Sequence, residues 1–139
     1  MNGIKKIESE IVEEFNMFSD WTEKYEYLIE LGKELIPLDS QYKIEENLIK
    51  GCQSRVWLHV KKENEKIIYN GDSDAIMTKG IVAILIRVFS HQPAKEIIDA
   101  DLEFINKIGL TEHLSPTRSN GLTAMIKQMK LYAIALNRK

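Results

Sequence analysis

The sequence predicts an α+β fold in which a small antiparallel sheet of two to three strands is flanked by helices. Three observations predict it. Apolar residues recur at helical spacing towards both ends of the chain. Between these stretches, from Gln53, the period changes to two, which marks a strand. After the strand region comes Ala75 to Phe89, a segment apolar nearly all round between Ile81 and Ile86.

The elements follow in order. Ile4, Ile7, Ile11, Val12, Phe15 and Phe18 place an amphipathic helix over Lys5 to Phe18. A second helix starts at once, with Asp20 as N-cap and Glu23 completing a capping-box-like pair. Tyr25, Leu28, Ile29, Leu35 and Ile36 form its expected inner stripe, and Pro37 ends it. So short a connection predicts an antiparallel helical hairpin. Asp39 to Lys50 is polar and reads as a connection. Val56, Leu58 and Val60 then alternate with Trp57, His59 and Lys61. Glu63-Asn64-Glu65 is the expected turn, Lys66 to Asn70 the returning strand, and Gly71 its stop. A bare hairpin is marginal, so a third strand around Tyr42 to Leu48, or firm packing on helices, is expected.

Asp72-Ser73-Asp74 offers N-cap oxygens for the segment from Ala75 to Phe89. Its length fits a buried central helix, while its β-branched content leaves a buried strand as the alternative. Pro93 can open a short helix over Ala94 to Asp99. Leu102 to Ile108 reads as another, stopped by Gly109. Leu114-Ser115-Pro116-Thr117 reads as a loop. The last helix is expected over Ser119 to Leu136, with Leu122, Met125, Ile126, Met129, Ala133 and Leu136 inward. A chain of 139 residues without repeats suits one domain covering residues 1–139.

Composition narrows the function classes. Nineteen basic residues oppose twenty-one acidic ones, a net charge of −2, which argues against a nucleic-acid binder. Lys127, Lys130, Arg138 and Lys139 read as a solvated helix face. No segment approaches the roughly 18 apolar residues of a membrane span. The start of the chain lacks an apolar secretory core. A single cysteine cannot form an internal disulfide, and together these features favour the reducing cytoplasm.

That cysteine, Cys52, follows Gly51 just before the first strand. Without relatives, it reads as a small buried hydrophobe, with a side chain presented at a loop tip as the alternative. Spacing alone does not overturn the buried reading. A Cys–His hydrolase would need a histidine near it. His59 falls on the strand face opposite Val56, Leu58 and Val60 and is expected to be exposed. His91 and His113 lie near helix ends, where cationic caps are common. No hydrolase signature surrounds Cys52. Asp72, Ser73 and Asp74 could bind a metal, but capping explains them more simply. Trp21 reads as core; Trp57, on the second sheet face, is either core or surface.

Gly51-Cys52-Gln53-Ser54-Arg55-Val56-Trp57 resembles the signature of the SufE family of sulfur acceptors. The likeness continues through Trp21 to Gly32, Gly71 to Ala75 with Lys79-Gly80, and Leu114 to Leu122. It departs at Arg55 and at Gln92-Pro93, neither of which touches the thiol. The resemblance implies a fold like that of SufE and the IscU-type scaffolds. It implies that Cys52 accepts persulfide sulfur from a SufS-like cysteine desulfurase and stimulates that enzyme. The sulfur would then pass towards an iron–sulfur scaffold such as a SufBCD-type complex. It implies that Gly51 and Gln53 belong to the cysteine loop. Asp74 and Arg118 would face the partner or steady that loop, although Arg118 also reads as a plain solvated charge. The chain would be an accessory carrier, not an enzyme by itself. It would need no cofactor of its own, the pyridoxal phosphate belonging to the desulfurase. One thiol is too few for a cluster, which takes three or four such ligands.

Overall fold

A computed structural model describes residues 3–138. Helix α1 spans Gly3–Asn16 and α2 Trp21–Glu34. Strands β1, Val56–Glu63, and β2, Lys66–Ser73, follow. Helix α3 covers Ile76–Phe89, and α4, α5 and α6 are short, at Ala94–Asp99, Phe104–Lys107 and Leu110–His113. The long α7, Pro116–Asn137, closes the chain. The expected α+β fold is observed, with a sheet of two strands.

The centre is α3. Ile81, Val82, Ile84, Leu85, Val88 and Phe89 are all buried, so the segment is a helix and not the alternative strand. A helix apolar over most of its circumference must be covered over most of it. β2 covers one face and α2 another, α1 and α7 add contacts, and a stripe through Ile76, Lys79, Ala83 and Arg87 stays partly exposed. Tyr69 on β2 is almost fully buried and donates its hydroxyl to the Met129 carbonyl of α7 at 2.6 Å.

The α2–α3 crossing depends on two glycines. A Cβ on Gly32 would stand 2.8 Å from the Gly80 nitrogen, and one on Gly80 would run into the Leu28 carbonyl. With α2 held this close to α3, the expected antiparallel packing of α2 on α1 does not form. Helix α2 lies along α3 instead and meets α1 near their turn. There Tyr27 packs edge-on against Phe15 with ring centroids 5.2 Å apart. Its hydroxyl donates to Glu14, whose carboxylate also holds Arg87 in a two-bond pair. Ile36, expected inside, is 80% exposed because α2 ends at Glu34 and the chain turns away.

The hairpin pairs Val56 with Ser73 through to Glu63 with Lys66. Its turn is the two residues Asn64 and Glu65, both at positive φ (51° and 65°), as a type I′ turn requires. Glu63 is therefore in the strand. No third strand forms among the described residues. Residues 40–47 make two short 3₁₀ turns, and Leu48 alone bridges to Trp57. The reason is local: Asp39 accepts from the Gln41 N–H, and the Asn47 amide donates to the Tyr42 carbonyl. Such side-chain bonds compete with a ladder. The stabilising partner of the hairpin is the helical layer.

Further boundaries also shift. β2 runs through Gly71 to Ser73, because Gly71 is buried against Trp57 and Val82 where only a hydrogen fits. Gly109, at φ 83°, starts an extra turn of helix at Leu110–His113. Helix α7 begins at Pro116, not Ser119. The Ser115 side chain accepts from the Arg118 N–H, and Pro116 suits the first turn.

Two measurements test this packing. Gly80→Ala should lose about 1–3 kcal/mol of stability in urea unfolding, the usual range for overpacking. An unchanged midpoint would show that the helices can part freely. The second concerns Glu8, which is 8% exposed and whose Oε1 has no hydrogen-bond partner among the described residues. Burial, then Asp101 and Glu103, raise its pKa against Lys5 and Lys107. A raised folded pKa means that its contribution is full below the unfolded carboxylate pKa and is lost as pH rises through the folded value. Glu8→Gln should remove that component of the pH slope.

Candidate functional site

Cys52 lies in a tight loop. The Ile49 N–H donates to the Val56 carbonyl at 2.9 Å, closing residues 50–55 at the entrance to β1. Gly51, at φ 93°, makes the turn, and a Cβ there would press on Ala124 of α7 at 3.2 Å. The far side of the loop is held by Asp74. Its Oδ1 accepts from the Arg55 N–H at 3.0 Å, and its own N–H donates to the Arg55 carbonyl at 3.2 Å. Asp74 is otherwise exposed. The loop is thus tied at both ends and rests on α7 in between.

The thiol is half-buried, which falls between the two readings of Cys52 taken alone. Its Sγ lies 3.6 Å from the Gly121 carbonyl oxygen, its one hydrogen-bond partner among the described residues. Gly121 is buried directly beneath Cys52, and a Cβ on it would stand 3.6 Å from the sulfur. Burial pushes the Cys52 pKa up, and no cation among the described residues acts against it. The resting group is therefore a neutral thiol, a poor nucleophile until something removes its proton.

The other expected residues separate. Gln53 is exposed in the same loop. Arg118 is exposed on the first turn of α7, three residues before Gly121 and so towards the same side of the helix. Its backbone N–H is capped by Ser115, and among the described residues its guanidinium has no ion pair. None of the three histidines bonds the sulfur. His59 is half-buried and stacks on Tyr42 with centroids 3.9 Å apart, where exposure was expected, because the 3₁₀ turns fold over that sheet face. The same segment places the Lys43 ammonium 5.6 Å from the Trp57 ring centroid and leaves Trp57 half-buried. Trp21 is half-buried against Tyr25 and His113.

Asp72-Ser73-Asp74 does not cap α3. The N-cap is Ala75, with no side-chain bond, and Asp72 and Ser73 belong to β2. Asp72 is 3% exposed and pairs with Lys43 at 3.0 Å and Lys79 at 3.4 Å. Burial works to raise its pKa. The Lys43 bond, the Ser73 N–H and the Lys79 charge outweigh burial and hold it below the usual carboxylate range. It joins the 39–50 connection, the sheet and α3 at one point. No group of three His, Cys, Asp or Glu side chains among the described residues is placed to hold a metal ion.

Sequence reasoning missed Gly121 and Ala124 as the seat of the thiol. One signal was present: a glycine inside a helix costs about 1 kcal/mol and implies a close approach. What approached it could not be read.

Residues 9–133 match the model of the family described as SufE, Fe-S metabolism associated domain. The chain belongs to the SufE family. Its role therefore lies in iron–sulfur metabolism. It is 41% identical over 131 residues to the SufE-like protein 1, chloroplastic/mitochondrial, of Arabidopsis thaliana. That match covers 94% of this chain but 35% of the plant protein. It is 43% identical over 126 residues to an uncharacterized SufE-like protein of Rhizobium etli, covering 87% and 85% of the two. In fold it is similar to a hypothetical protein from Thermus thermophilus solved in solution. The TM-score there is 0.79 at 17% identity, over 96% of this chain and 97% of the other.

Alkylation kinetics report on the site. The rate of Cys52 modification by iodoacetamide should rise with pH along a curve displaced above that of an unstructured thiol, near ~8.5. The displacement should vanish in denaturant. Gly121→Ala should leave the curve in place, whereas Gly121→Leu should expel the thiol and speed modification several-fold.

Proposed function

We propose that this SufE-family chain accepts sulfur from a cysteine desulfurase onto Cys52, stimulates that enzyme, and passes the sulfur towards iron–sulfur cluster assembly. The observation that carries this reading is the seat of the thiol. It is the one cysteine of the chain, held neutral at the tip of a tied loop with a carbonyl as its partner. Such a thiol is protected at rest and must receive its activation from outside.

The step balances without an oxidant. The partner's cysteine carries a persulfide, and its site takes the Cys52 proton. Cys52 thiolate attacks the outer sulfur, a new S–S bond forms at Cys52, and the partner's own S–S bond breaks. The partner's thiolate leaves and receives the proton. This is the displacement of thiol–disulfide exchange. Removing the persulfide frees the desulfurase for its next cycle, which is how a carrier without catalysis of its own stimulates it. The pyridoxal phosphate stays with the partner. A SufS-like desulfurase and a SufBCD-type scaffold are the partners we propose, in a reducing cytoplasm where a lone thiol stays free.

Docking has to free the thiol. An S–H···O contact of 3.6 Å is weak, so little is lost when Cys52 leaves Gly121. Arg118 supports the placing of the partner on this side. A cation in the first turn of a helix gains nothing from the helix dipole. It has no ion pair within the described chain, and a persulfide anion or an acidic partner surface would give it a negative partner. Asp74 stands at the foot of the same loop, where a change of charge would alter docking.

The test mixes the protein with a desulfurase and follows alanine release. Cys52→Ser should abolish the stimulation, and stimulation equal to wild type would end this reading. Mass spectrometry should find one added sulfur on Cys52 after turnover. Arg118→Glu should raise the concentration giving half-maximal stimulation several-fold and leave the alkylation rate of Cys52 unchanged.

A further inference from the structure

The charge of the chain is unevenly placed. Residues 3–34, which form α1 and α2, carry nine carboxylates against four lysines. From residue 35 onward fifteen basic residues oppose twelve acidic ones. Within the acidic part, Glu23, Glu26, Glu30 and Glu34 recur at helical spacing along α2 and share one face.

That face borders a cleft of about 460 Å³ beside the α1–α2 turn. Phe18, Tyr27 and Ile29 give it apolar surface, and Glu23, Glu26 and Glu30 give it charge. Lys33 is the one cation lining it among the described residues, and that lysine is already paired with Glu30 at 3.3 Å. Glu26 has no ion pair among the described residues. Met17, in the turn itself, is 79% exposed, and methionine adapts readily to an incoming apolar surface. The cleft shares no lining residue with the Cys52 loop.

We propose that this cleft docks a basic, amphipathic segment of a partner protein. An apolar side chain of the segment would sit against Phe18, Tyr27 and Ile29, with lysines or arginines meeting Glu23, Glu26 and Glu30. Charge complementarity selects this occupant. A nucleic acid would bring phosphates to a row of carboxylates. A metal ion would need three ligands converging, and no such group is present among the described residues. The volume falls within the range of pockets that take a ligand, about 300–1,000 Å³, and is enough for one or two side chains. The surface would serve recognition and on-rate more than tight binding.

The experiment titrates the full chain into a fluorescein-labelled synthetic helix with leucine on one face and lysine on the other, followed by anisotropy. Binding should weaken as salt is raised, since exposed charges are screened. Glu26→Lys with Glu30→Lys should weaken it about tenfold. Ile29→Ser should weaken it as well. Glu63→Lys with Glu65→Lys, which changes net charge equally at the distant hairpin, should leave it intact. A matching leucine–glutamate peptide should not bind. The proposal is overturned if the peptide does not bind. It is equally overturned if the hairpin pair matters as much as the α2 pair, or if Ile29→Ser has no effect.

Discussion

A helix apolar over most of its circumference has to be covered over most of it, and α3 imposes that condition on everything around it. Ile81 and Val82 in its first half, Val88 and Phe89 at its end, are all buried, and only the stripe through Ile76, Lys79, Ala83 and Arg87 reaches water. The hairpin alone would be marginal. Laid on α3, it becomes the wall of a core, and Tyr69 fastens it further to α7. Gly32 and Gly80 let α2 come in close enough to seal the opposite side. The order of layers follows from this one requirement.

The cysteine loop inherits its rigidity from the same enclosure. Its first end is fixed by the Ile49–Val56 bond and its second by Asp74 on Arg55, both at the mouth of the hairpin. The middle rests on α7, which is held by the core through Leu122, Met125 and Met129. Asp72 adds a buried pair with Lys43 and Lys79 just behind. A thiol carried on such a support can be sheltered without being fixed, because the bond holding it is weak. Shelter and release are compatible here because the strong bonds are backbone bonds at the loop ends and the weak one is at the sulfur.

Much of this was legible in the sequence. The period-two run marks β1, and the all-round apolar segment marks a buried element, because each pattern reports burial directly; that this element is a helix and not a strand came from the structure. The Gly51-Cys52-Gln53-Ser54 run singled out the cysteine loop through its likeness to SufE. Other features were not legible. Ile36 belongs to the apolar stripe by spacing, yet α2 ends before the stripe is used. Asp72-Ser73-Asp74 reads as a cap by composition, but Gly71 is buried, so the strand continues and Asp72 is turned inward onto two lysines. His59 was expected in water and is instead stacked on Tyr42, since a polar connection gives no sign of the surface it will fold over.

By itself the sequence determined most of the helices and the hairpin, the identity of the one thiol and, through resemblance, the family. Local periodicity and a single unrepeated residue type need no partner to be read. The tertiary structure decided which helix lies against which, that Gly121 and Ala124 seat the cysteine loop, and that the thiol rests neutral. Those outcomes depend on close approaches between residues distant in the chain, where the presence or absence of one Cβ sets the distance, and no local pattern encodes that.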